Sequence, residues 1–247
     1  MNPFYFGTSE RRLFGIYEPA AFGNAGKRAA ILCHPWGPEY LHAHRTMRQL
    51  SLKLAAAGFH TLRFDYFGTG DSGGEPIDTD LMGWETDIEM AIEEMKDIAG
   101  TTKITLIGLR LGADAAAGVA ARLSKKVEAL VLWDPIASGS AYLQHLGVSL
   151  GVAPPLEVLG FPLAVNMMRD LRALDLSALL SKKLPPILML TTEGSPSDSA
   201  VASSAVGAEA GATTSEFIAD VRPWIESSVN AGMVPFAVIQ RIIAWLE

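Results

Sequence analysis

Residues 104–114 read Ile104-Thr105-Leu106-Ile107-Gly108-Leu109-Arg110-Leu111-Gly112-Ala113-Asp114. With Lys103 the first of these form an aliphatic run of buried-strand type, and Leu111 opens an alanine-rich helix that reaches about Leu123. Strand therefore passes into helix through Gly-x-Arg-x-Gly with no loop between them. Glycines two residues either side of Arg110 allow the two backbones to approach closely around a strained turn. The central side chain is then presented at the head of the helix.

Outward from this junction the chain alternates strand and helix. Leu13–Tyr17, Ala29–Cys33, Thr61–Phe64, Val127–Trp133 and Ile187–Thr191 are short apolar runs, with 216–220 as a last strand. His44–Ala57 places Met47, Leu50 and Leu54 on one helical face and ends at Gly58. Leu81, Trp84, Ile88, Ile92 and Met95 recur at three- and four-residue spacing, which predicts a long amphipathic helix, and Phe236–Leu246 predicts another. The pattern implies an α/β fold with a mostly parallel central sheet and helices on both faces. The whole chain, 1–247, reads as a single domain.

More than fifty residues separate the strands ending at Trp133 and Thr191. They contain apolar helical text at Tyr142–Leu150 and Leu163–Leu171. Residues 138–182 are therefore expected to form a helical lid over the carboxyl ends of the strands, where α/β sheets bind ligands. Ordinary core packing is the alternative. Residues 195–215 are dominated by Ser, Ala, Gly and Thr and predict a flexible excursion between strands.

The composition narrows the partners. Of 247 residues, 49% are hydrophobic and 19% charged, which suits a globular chain with a sizeable core. The formal net charge of −7 argues against nucleic acid and against anionic membrane surfaces. No apolar run approaches the ~20 residues that span a bilayer, and the N-terminus lacks the pattern of a secretory signal. The lone Cys33 excludes an internal disulfide, so a cytoplasmic protein is expected. Homodimerisation is compatible with all of this.

Three further segments stand in order around Gly-Leu-Arg-Leu-Gly: Cys33-His34-Pro35-Trp36-Gly37, then 64–72 (Phe-Asp-Tyr-Phe-Gly-Thr-Gly-Asp-Ser), then Trp133-Asp134-Pro135. Together they resemble the α/β-hydrolases, in which the strand–helix junction is the nucleophile elbow Gly-x-Ser-x-Gly. The elbow, with the later Leu-Trp-Asp-Pro-Ile, is similar in particular to the exosortase A system-associated hydrolases, a branch of the serine aminopeptidase-like group. Some members of that branch carry the same arginine-containing elbow. The resemblance implies an α/β-hydrolase fold, a hydrophobic acyl-type substrate, and an oxyanion hole from the backbone N–H groups of Trp36 and Leu111.

Serine hydrolysis needs a nucleophile, a histidine to take its proton and a carboxylate to orient that histidine. Position 110 holds arginine, whose guanidinium stays protonated and cannot attack a carbonyl. The five histidines are His34, His42, His44, His60 and His145, so none follows the last strand, where the fold places the base. Asp134 and Glu193 stand at ends of strands from which a carboxylate is supplied, but they have no such histidine to orient. Adjacent strand residues face opposite ways, so Cys33 and His34 do not form a pair, and Cys33 reads as a core thiol. No His/Cys/carboxylate spacing calls for a metal, and no cofactor is expected.

Two readings of Arg110 remain. At the head of a helix, beside the oxyanion donors, its guanidinium suits a carboxylate or phosphate held by parallel hydrogen bonds. The ligand would then be a small anionic amphiphile with its tail among Leu159, Phe161, Met167 and Met168. His34 and Asp134 would be the groups available for proton transfer. Alternatively, Arg110 pairs with Asp134, Glu193 or Asp65 and plugs a dead site, leaving a binding or scaffold protein.

Overall fold

The computed structural model describes residues 1–21, 28–148, 156–192, 212–225 and 233–247. Its centre is an eight-stranded sheet. The strands are β1 (Asn2–Gly7), β2 (Arg12–Glu18), β3 (Arg28–Cys33), β4 (His60–Phe64), β5 (Lys103–Leu109), β6 (Val127–Trp133), β9 (Ile187–Thr192) and β10 (Thr213–Ile218). A separate hairpin is formed by β7 (Leu156–Val158) and β8 (Phe161–Leu163). The sheet order is β1-β2-β4-β3-β5-β6-β9-β10. β2 runs antiparallel to both β1 and β4, and every pair from β4 to β10 is parallel.

Both faces of the sheet are covered, and the sequence period of two shows why. Ile31, Leu106, Leu130, Leu132 and Met189 face a core completed by helices α2 (Leu81–Ala99) and α3 (Leu111–Arg122). Their neighbours Leu32, Ile107, Val131, Trp133 and Leu190 face a second core, closed by α1 (Gly37–Ala56) and α7 (Phe236–Leu246). Strands buried on both sides read as near-continuous apolar runs, as the centres of these do. The fold is the expected α/β-hydrolase architecture with a mostly parallel sheet.

Three local expectations change. The N-terminal residues form an additional edge strand, β1, whose register pairs Phe6 with Leu13. Helix α1 begins at Gly37, seven residues before the expected start at His44. The last strand begins at Thr213 and ends at Ile218, displaced toward the N-terminus from 216–220.

The segment between β6 and β9 is not wholly helical. It carries α4 (Gly139–His145), the β7–β8 hairpin, α5 (Val165–Ala173) and α6 (Leu176–Leu180). The expected helix over Tyr142–Leu150 ends at His145, and its last two residues lie outside the described ones. Much of the low-complexity stretch at 195–215 likewise lies outside them. Among the described residues no helix is long and apolar enough to cross a membrane.

Candidate functional site

The site grows from the β5–α3 junction. A Cβ on Gly108 would collide with the backbone of Ala113 and Gly112, and one on Gly112 would collide with the carbonyls of Cys33 and His34. Glycine is thus required at both positions by backbone contact, which brings β3, β5 and α3 together. Between them Arg110 adopts φ 54° and ψ −129°. A side-chain-bearing residue there costs on the order of 1–3 kcal/mol, so the β5–α3 junction is strained at Arg110.

The guanidinium of Arg110 is buried, with 7% of the residue exposed. Its Nε donates to Glu39 Oε1 at 3.1 Å, and Nη1 donates to the carbonyl of Asp134 at 3.2 Å. The rings of Tyr142 and Trp224 lie 5.6 and 5.3 Å from its Cζ, close enough for cation–π attraction. Glu39, 5% exposed, is the third residue of α1, where the helix N-terminus favours negative charge. Its second oxygen accepts from the Tyr142 hydroxyl at 3.0 Å. Burial and the neighbouring Glu39 charge raise the Tyr142 phenol well above its ordinary range, so it stays a donor. Arg110, Glu39 and Tyr142 form one buried, charge-compensated cluster.

The sequence had offered Asp134, Glu193 and Asp65 as partners for Arg110. Of these, Asp134 contributes its main-chain carbonyl, while its carboxylate accepts from Thr192 N at 2.9 Å and Thr192 Oγ1 at 3.0 Å. Asp65 accepts from Tyr40 and from the backbone of Asp71, shaping the loop after β4. Glu193 lies outside the described residues.

His34 is buried on the α1 side of the sheet, edge-on to Tyr40 with ring centroids 5.3 Å apart. Burial, aided by the positive charges of Arg63 and His44, pushes its pKa down to about 3. A neutral imidazole of that kind is a very weak base at physiological pH. Cys33 faces the opposite core, beside Tyr66, and burial pushes its thiol up to about 12.

Trp36 precedes α1 and is buried, and Leu111 is the buried first residue of α3. Trp36 meets Phe161 of β8 edge-on, with 6.5 Å between centroids. Together they flank a cleft of about 220 Å³, whose walls also include Tyr40, Leu41, Thr69 and Thr79. Of the four apolar residues expected to hold a ligand tail, Phe161 borders this cleft. Met167 and Met168 are buried in the core, and Leu159 stands 82% exposed at the hairpin turn. Arg110 does not line the cleft.

Glu39 and Tyr142 escaped the sequence reading. The signal for Glu39 was present: Gly37-Pro38-Glu39 places proline and an acid in a first helical turn, the usual start signature. Tyr142 offered no signal beyond its place in the insertion.

Comparisons with known structures place the fold among the α/β-hydrolases. Est1E from Butyrivibrio proteoclasticus, bound to ferulic acid, aligns with a TM-score of 0.74 at 20% identity over 98% of this chain and 97% of its own. The proline iminopeptidase of Mycobacterium smegmatis aligns at 0.68 and 12% identity over 99% and 97%. At such identities the likeness concerns the fold alone. The family model for serine aminopeptidase, S33, matches residues 31–239, and the chain belongs to that family. The human protein ABHD12B is 36% identical over 105 residues, 39% of this chain; the match spans 28% of that relative's length.

Proposed function

We propose that this chain is a non-hydrolysing member of its family, a pseudo-hydrolase that binds a small, mainly apolar molecule in the cleft between Trp36 and Phe161. The observation that carries the reading is the Arg110–Glu39 pair. The nucleophile position holds a cation whose charge is met by a buried carboxylate of the same chain. An anionic ligand directed at Arg110 would have to compete with Glu39, so the pair favours the plug over the anion receptor. The Trp36 and Leu111 N–H groups are the remaining candidates for an oxyanion hole, and residues 138–182 are assigned as a cap beside the cleft. The Gly-Leu-Arg-Leu-Gly elbow supports placing the chain nearest the exosortase A system-associated branch.

The test is turnover. Purified protein is offered p-nitrophenyl esters of short and long acyl chains, and aminoacyl naphthylamides, from neutral to alkaline pH. No turnover above the buffer rate is expected. Turnover proportional to protein concentration and abolished by Arg110→Ala would contradict the reading.

A further inference from the structure

We infer that the cleft beside Trp36 selects uncharged, mainly apolar ligands and rejects the carboxylates of the same skeleton. The inference rests on reading the chain as a binder and not a hydrolase.

No described residue lining the cleft carries a charge. Three hydroxyls in its wall have their protons directed elsewhere, and that of the fourth, Tyr66, is buried beside the Cys33 thiol. Tyr40 donates to Asp65 Oδ1 at 2.7 Å, Thr69 to the carbonyl of Tyr66 at 2.7 Å, and Thr79 to the carbonyl of Pro76 at 2.8 Å. What they leave facing a ligand is oxygen lone pairs, which accept and do not donate. A carboxylate entering here finds none of these hydroxyl protons to replace its water, and each hydrogen bond lost on burial costs about 1–3 kcal/mol.

Asp65 adds repulsion, offset in part by Arg63, whose charge acts on both Asp65 and the lining Tyr40. Asp65 lies directly behind Gly70 in the cleft wall, so close that a Cβ on Gly70 would collide with its carboxylate. The rim, by contrast, is apolar. Leu41 is 60% exposed at the wall, and Ile77, next to the lining Pro76, is 62% exposed. Apolar grip combined with an electrostatic penalty on the wrong ligand is how such sites discriminate.

The matched probes are 1-octanol and octanoate, titrated into the intact chain by ligand-observed NMR. Octanol is expected to bind about tenfold more tightly than octanoate or better. Phe161→Ala is expected to weaken octanol about fivefold. Leu41→Lys changes an exposed side chain, leaves the fold intact, and is expected to bring octanoate within about threefold of octanol. Octanoate binding as tightly as octanol to the wild type, or binding of neither probe up to its solubility, overturns the inference. Turnover of esters would sink the binder reading itself, whereas octanoate preference without turnover would sink the charge selectivity alone.

Discussion

Arg110 Nε and Glu39 Oε1 lie 3.1 Å apart although 71 residues separate them in the chain, and both side chains are more than nine-tenths buried. The contact ties the head of α3 to the first turn of α1, two helices on opposite faces of the sheet. It forms at the strained strand–helix junction from which α3 starts. Breaking one partner of such a pair leaves an uncompensated buried charge, which typically costs about 3–5 kcal/mol.

Glu39→Gln is therefore expected to lower the unfolding free energy by about 3–5 kcal/mol, because it removes the carboxylate paired with the guanidinium of Arg110. Adding Arg110→Gln to the same chain should recover most of that loss, as the pair is replaced by neutral, hydrogen-bonding groups. Urea denaturation of the two single variants and the double variant provides the cycle. Equal and additive losses would mean that the two residues do not stabilise one another.

Much of this was legible in the sequence. The Gly108–Gly112 spacing, the apolar strands and the helical periods led to the sheet and its two covered faces. The first strand was not read, although Phe4 and Phe6 alternate with Tyr5 and Pro3 suits an edge. Six residues carry little weight until β2 pairs with them. The site was half legible. The arginine between Gly108 and Gly112, and the absence of histidine after residue 145, are one-dimensional facts. The partner of Arg110 is not, because Glu39 reaches it only after α1 and α3 are brought together around the sheet. A helix that starts at His44 also puts Glu39 ahead of the first turn, whereas α1 starts at Gly37.

Gly112→Ala tests the elbow itself. The added Cβ would strike the carbonyls of Cys33 and His34, which are backbone and cannot swing away. A loss of roughly 3 kcal/mol is expected, at the upper end of overpacking costs. Ala113→Gly, one residue on, serves as the control for helix propensity. Thermal unfolding that leaves Gly112→Ala level with the wild type would mean that β3 and α3 are not in contact.

His34 gives a pH dependence with a defined sign. Its folded pKa, about 3, lies below the ordinary histidine value, so the unfolded chain binds the extra proton first. Its contribution is complete above the unfolded pKa near ~6.5 and is lost as pH falls toward about 3, with a slope of up to ~1.4 kcal/mol per pH unit. Unfolding free energies measured across that window should rise with pH, and His34→Gln should flatten the rise. An unchanged slope in His34→Gln would assign the acid sensitivity to other groups.

The central claim is that the hydrolytic machinery is absent as a set and not only at position 110. Arg110→Ser, treated with a fluorophosphonate at neutral pH and read by intact-protein mass spectrometry, tests it most directly. The new serine has no histidine after the last strand to accept its proton, and Glu39 is left without its cation. The account predicts a folded, less stable protein that remains unlabelled. Stoichiometric labelling at Ser in place of Arg110, or ester turnover by that variant, would contradict it.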